Sequence, residues 1–85
     1  MVLRQAITHT EGMKKETAFL KDFGAKLTKV RKEKGFTQEK LAFAVGLSPT
    51  YIGFIEQGRR NPTILNLFKI SRALDLKLED IFSKF

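Results

Sequence analysis

A chain of 85 residues supports one hydrophobic core, and 42% hydrophobic content is enough to build it. The absence of cysteine and a single histidine, His9, exclude a disulfide framework, a thiolate metal site and a histidine-based triad. The net charge of +7, 16 basic residues against 9 acidic, points to a polyanionic partner; no apolar run is long enough for a signal sequence or a membrane span, so a cytoplasmic protein that touches no membrane is expected.

Residues 1–16 show no sustained periodicity and contain Gly12, which reads as a flexible N-terminal arm ahead of a domain over 17–85. An arm that tracks a polyanionic partner through Arg4, Lys14 and Lys15, or one that packs on a partner subunit, is the alternative. The first helix is expected from near Thr17 to about Lys34. Phe19 or Leu20, then Phe23, Leu27 and Val30 form its inward stripe, with Lys26, Lys29 and Lys32 on the outer face. Between Lys21 and Gly35 six basic residues face only Asp22 and Glu33, the densest positive stretch of the chain. Gly35 ends this helix and Phe36 is expected to tuck into the core.

Residues 37–57 form the most informative segment. Thr37 is placed as an N-cap for the turn carrying Gln38, Glu39 and Lys40. Leu41, Ala42 and Val45 then recur at helical spacing. Gly46 follows the last periodic residue, where a left-handed cap costs glycine little, and Leu47 fills the corner. Ser48 is the next N-cap, with Pro49 at the first helical position, where a missing N–H is no loss. Ile52 and Ile55 point inward, and Gly58 ends the helix. Two capped helices with only Gly46 and Leu47 between them make a helix-turn-helix. A fourth helix is expected after Asn61-Pro62 with Thr63 as cap. It carries Ile64, Leu67, Phe68, Ile70, Ala73 and Leu74, a breadth that implies burial on more than one side. A short last helix, about Leu78 to Ser83, contains Ile81 and Phe82, with Lys77 where a Ser or Thr cap would be expected. Five helices with short links make a compact all-α domain.

Subtracting the inward residues leaves Pro49, Thr50, Gly53, Phe54 and Gln57 outward on the second motif helix, with Tyr51 at the margin. A purely solvated face would be rich in Lys and Glu. This one offers a hydroxyl, an aromatic edge and an amide, groups that read base edges and thymine methyls in a major groove. The charged residues sit at the periphery, in Gln38-Glu39-Lys40 and Arg59-Arg60, where phosphates would run.

The runs GFTQEKLA, VGLSPTYI and IEQGRRNPT resemble the helix-turn-helix of the Cro/repressor-type (XRE-like) DNA-binding family, over about Gly24 to Phe82. The run TYI followed by GFIE is also similar to the controller proteins of restriction–modification systems. The resemblance implies a lambda-repressor-like domain. It makes Ser48, Pro49, Thr50, Tyr51 and Phe54, with Gln57 beside them, candidates for base contact. It makes Gln38, Arg59, Arg60 and Asn61, with Lys40, candidates for phosphate contact. It also implies an ion pair between Arg31 and Glu56. Two departures stand out: Pro49 and Gly53 replace residues that are commonly polar readers, and Phe43 and Phe54 are aromatic where the family usually has polar residues. Phe54 is therefore open between a thymine methyl, a protein interface and a surface patch with Phe43.

The expected function is a sequence-specific transcriptional regulator of double-stranded DNA. It would act as a homodimer on an inverted repeat with no cofactor; core is the default for Ile81 and Phe82, and a C-terminal dimer ridge of Ile81, Phe82 and Phe85 is the alternative. The alternative is an antitoxin or a coactivator-like interaction module, motivated by Phe43, Phe54 and Phe85. An enzyme is excluded, because Asp22, Glu33, Asp75, Glu79 and Asp80 are scattered without nucleophile, metal cluster or phosphate loop.

Overall fold

The computed structural model describes the backbone of residues 9–82 and the side chains of 14–82. Among the described residues there are five helices and no strand: α1 (His9–Glu33), α2 (Gln38–Val45), α3 (Pro49–Glu56), α4 (Ile64–Ala73) and α5 (Leu78–Phe82). α1 begins at His9 rather than near Thr17, so residues 9–16 continue the first helix. One glycine costs a helix only about 1 kcal/mol, and Glu11, Met13, Lys14, Lys15 and Glu16 around Gly12 are good helix formers. Residues 1–8, with Arg4, lie outside the described residues.

The helix starts are set by side-chain caps. The hydroxyls of Thr37, Ser48 and Thr63 accept from the backbone N–H groups of Lys40, Tyr51 and Asn66, each at 3.0 Å. Such caps satisfy donors that the helix itself leaves without partners, and each is worth about 1 kcal/mol. α5 starts without one. Asp80, in its first turn, instead reaches back and accepts from the Lys77 N–H at 3.0 Å, the carboxylate half of a capping box.

The helix ends share one device. At Gly46 the backbone turns left-handed (φ 72°), and the Leu47 N–H bonds the Ala42 carbonyl at 3.0 Å, closing α2 within two residues of the start of α3. The same closure recurs at Gly35, at Gly58 and at Asp75, the last a non-glycine at φ 58°.

Phe23, Leu27, Leu41, Val45, Ile52, Ile55, Ile70 and Leu74 form one buried core to which every helix contributes, α5 through Ile81. α4 departs from expectation. Leu67, Ile70 and Leu74 face inward, where α4 meets α2 and α5, but Ile64, Leu65 and Phe68 lie on an exposed flank. Burial on more than one side is therefore not what its apolar breadth reports.

α1 and α3 cross with their backbones in close approach. Gly24 lies under the end of α3, where a Cβ would fall 2.4 Å from the Glu56 carbonyl oxygen and 2.5 Å from that of Ile55. From the other side, a Cβ on Gly58 would fall 2.7 Å from Cα of Lys21. Two glycines thus let α1 lie directly against the C-terminal end of the second motif helix.

Candidate nucleic-acid interface

The outer face of α3 begins with its cap. Ser48 Oγ is engaged as acceptor for Tyr51 N–H, which leaves its own hydroxyl proton for an outside partner. Pro49 and Thr50 are exposed. Tyr51 is half-buried, and its hydroxyl accepts from Asn66 Nδ2 at 3.4 Å, which ties it to α4 at the edge of the face. Gln57 is exposed at the helix end, and Lys40, Arg59, Arg60 and Asn61 are exposed as well.

Gly53 is not on this face. It is buried beneath the Gln38 side chain, whose amide atoms would lie 3.7 Å from an added Cβ. Phe54 is half-buried, and it does not offer a bare ring. The Arg59 guanidinium lies over it at 4.4 Å from the ring centre and that of Arg60 at 5.5 Å, both within cation–π range. Arg59 Nη1 also donates to Gln57 Oε1 at 3.3 Å.

Behind the face, Arg31 and Glu56 meet. Arg31 Nε donates to Glu56 Oε2 at 2.6 Å and Nη2 to Oε1 at 3.1 Å, a bidentate pair, while Nη1 donates to the Phe36 carbonyl at 2.7 Å. Both side chains are almost wholly buried. Glu56 is the last residue of α3, where a negative charge opposes the helix dipole, so the arginine offsets an unfavourable position. Burial alone would push the Glu56 carboxyl up. Hydrogen bonds from Arg31 and Gln38, the charge of Arg31 and the Thr28 hydroxyl outweigh it, and the carboxyl is held below its ordinary value.

Gln38, read from sequence as a phosphate contact, is the third member of this cluster. Its Nε2 donates to Glu56 Oε1 at 2.9 Å, leaving one amide proton uncommitted. By helix geometry the backbone N–H groups of Gln38 and Glu39 have no partner within α2, so they offer an anion seat beside Lys40. The first turn of α2 and the end of α3 are thereby joined through one carboxylate.

The helix-turn-helix family model matches residues 27–81, which takes in the motif and its packing helices. The chain belongs to this helix-turn-helix family. It is 47% identical over 62 residues to the control protein C.MunI of a Mycoplasma species, covering 72% of this chain and 84% of that one. It matches the crystal structure of the restriction–modification controller protein C.AhdI from Aeromonas hydrophila with a TM-score of 0.75. The two are 42% identical, over 76% of this chain and 98% of that chain. The structure of SinR, a master regulator of biofilm formation, in complex with DNA matches with a TM-score of 0.66, 33% identity, and coverage of 71% and 97%. As a member of this family the chain is a DNA-binding regulator and not an enzyme. Among the described residues no group of His, Cys, Asp and Glu is gathered to hold a metal, and no helix is long and apolar enough to cross a membrane.

The candidate dimer ridge is not brought together. Ile81 is 2% exposed in the protomer's own core, and Phe82 stacks on Phe23 at 5.7 Å between ring centres. Phe85 lies outside the described residues. Helix α5 turns Ile81 into the core and lays Phe82, which stays partly exposed, on Phe23 in the middle of α1. The exposed large apolar residues are Phe19 on α1, Phe43, 90% exposed on α2, and Ile64, Leu65 and Phe68 on α4. Sequence reasoning also missed Gly24. A glycine inside a helix is a standing cost, and that cost was the available signal of a packing reason.

Proposed function

We propose that this chain is a sequence-specific transcriptional regulator that binds an inverted-repeat operator as a homodimer, with α3 in the major groove of each half-site. The observation that carries this reading is the outer face of α3. It presents Ser48, Thr50 and Gln57 with no exposed carboxylate, flanked by Lys40, Arg59 and Arg60. The cations supply salt-dependent affinity through counterion release, and the α3 face supplies discrimination of about 1–3 kcal/mol per good base contact. Two such helices related by a two-fold axis fall about 34 Å apart, one turn of B-DNA.

With Ile81 in the core and Phe82 stacked on Phe23, the surface that suits a second copy is the outer flank of α4. Ile64 is 65%, Leu65 57% and Phe68 46% exposed, and Arg72 lies over the Phe68 ring at 5.6 Å. Aromatic residues and arginine on an apolar patch are the composition that interface cores favour. Similarity to C.MunI and C.AhdI supports the narrower reading that the regulated unit is a restriction–modification system.

A fluorescence-anisotropy titration tests the reading. The duplex upstream of the protein's own gene is expected to bind tightly in the presence of excess random DNA. Equal affinity for random duplex at ~0.15 M salt would refute it, because only the phosphate contribution would remain. Phe43 favours a second reading, an antitoxin or coactivator-like contact with a protein, since a lone aromatic on the outside of α2 has no role in packing this fold. On that reading Phe43→Ser releases a co-purifying partner and leaves operator affinity unchanged.

A further inference from the structure

The loop after α3 reads from sequence as a run of phosphate contacts, and Phe54 as a base contact. The geometry reverses these roles for one pair. Gly58 turns the chain back at φ 75°, and the Arg59 N–H bonds the Phe54 carbonyl at 2.8 Å. The residue leaving the helix is thus folded onto its last turn. The Arg59 side chain then lies over the Phe54 ring at 4.4 Å, on the outward side of α3, and is held a second time by Gln57 Oε1. Arg60 lies farther from the same ring, at 5.5 Å, and remains suited to a phosphate. Glu56, the only carboxylate of α3, is turned to Arg31 behind the face and does not compete for either cation.

We propose that Arg59, laid over the Phe54 ring and pinned by Gln57, reads a base edge in the major groove, with Phe54 as its positioning residue. The inference rests on the DNA-binding reading above. The base its chemistry selects is guanine. A guanidinium is a planar fork of five N–H donors, and the Nη1 bond to Gln57 leaves other edges free to donate in parallel to O6 and N7. Phosphate contact needs charge alone. A base contact needs the fork held in one place, which the ring and the amide together provide for a side chain otherwise rich in rotamers.

Binding-site selection followed by competition titrations separates the roles. The native protein is expected to recover an inverted repeat containing a fixed G·C pair in each half-site. Arg59→Lys keeps the charge and removes the fork. It is expected to recover the same repeat with that one position relaxed, its preference falling roughly five- to hundredfold, at an unchanged dependence on salt. Phe54→Leu keeps an apolar side chain and removes the ring. It is expected to relax the same position by about two- to fivefold, and Phe54→Tyr to restore it. An Arg59→Lys protein that keeps its preference at every position overturns the proposal, as does one that weakens all sequences equally. Relaxation by Phe54→Leu at a different base pair from Arg59→Lys also overturns it, since Phe54 would then touch DNA itself. A native protein that selects no repeat overturns the DNA-binding reading, and this inference with it.

Discussion

Replacing Gly24 by alanine tests how α3 is held. A methyl group there would sit 2.4 and 2.5 Å from two backbone carbonyl oxygens of α3, those of Glu56 and Ile55. Carbon and oxygen approach no closer than about 3.3 Å even in favourable contacts, so the helices must separate by roughly 1 Å. No rotamer change relieves this, because both clashing atoms belong to the main chain. Helix propensity works in the opposite direction: Gly→Ala in a helix interior gains about 1 kcal/mol. Overpacking costs about 1–3 kcal/mol, and the shift also strains the Arg31–Glu56 pair, whose shortest bond is 2.6 Å. The expected net loss is about 1–2 kcal/mol, which lowers the melting temperature of a domain this size by roughly 4–8 °C per kcal/mol. Circular dichroism melts of Gly24→Ala read it directly, with Ala25→Gly at the neighbouring exposed position measuring propensity alone. Operator affinity should fall as well, since α3 is displaced against α2. A Gly24→Ala protein that melts above the native one would refute the reasoning, because propensity by itself demands that result.

Glu56→Ala leaves Arg31 buried without its carboxylate and is expected to cost roughly 3–5 kcal/mol. In chemical denaturation the Arg31→Ala, Glu56→Ala double variant should lose clearly less than the sum of the single losses, and simple additivity would count against coupling. The same carboxyl sets an acid limit. Its folded-state pKa lies below the ordinary value, so the stability it supplies is whole above about pH 4.3 and is lost as pH falls through its depressed folded value. Denaturation midpoints taken between pH 3 and pH 6 should therefore slope less in Glu56→Gln than in the native chain; equal slopes would place the acid sensitivity elsewhere. Asp75 holds a left-handed backbone at φ 58°, so Asp75→Gly should raise the melting temperature by a gain within about 1 kcal/mol, and a lower melt would assign its side chain a role of its own. Ile64→Asp with Leu65→Asp should sediment as a monomer that keeps its helical circular dichroism and melts somewhat lower than the native dimer, and a dimer that survives both substitutions would move the interface off α4.

What was legible in the sequence is what local chemistry decides. Thr37, Ser48 and Thr63 cap helices because the donors they satisfy lie three residues on, and Gly35, Gly46 and Gly58 stop helices because the turn needs a left-handed residue. The start of α5 was harder to place, since its cap is a carboxylate inside the helix rather than a hydroxyl before it. Residues that depend on a neighbouring helix were read less well. Gly53 was placed outward because helical spacing allows it, but Gln38 covers it from α2. For Ile81 and Phe82 core is the default reading and a dimer ridge the alternative, and only the fold shows that Phe82 packs on Phe23 of α1. Phe54 shows the same limit. Which group covers its ring depends on the direction the chain takes after Gly58, and no periodicity encodes that.

The buried carboxylate explains why these parts act as one. Glu56 is the only acidic residue of α3, and left exposed it would repel the phosphates that flank a major groove. Arg31 neutralises it from α1, and Gln38 binds it from the first turn of α2. On the proposed DNA-binding reading, in which α2 offers N–H groups to a phosphate and α3 offers side chains to bases, this shared carboxylate sets the two helices at a fixed offset before DNA arrives. That offset is what converts a phosphate contact into register along the groove, because phosphates position a protein and base edges specify it. Loosening Glu56 should for this reason weaken discrimination between operator and random duplex more than it weakens binding to random duplex, a ratio that salt titrations on the two DNAs measure.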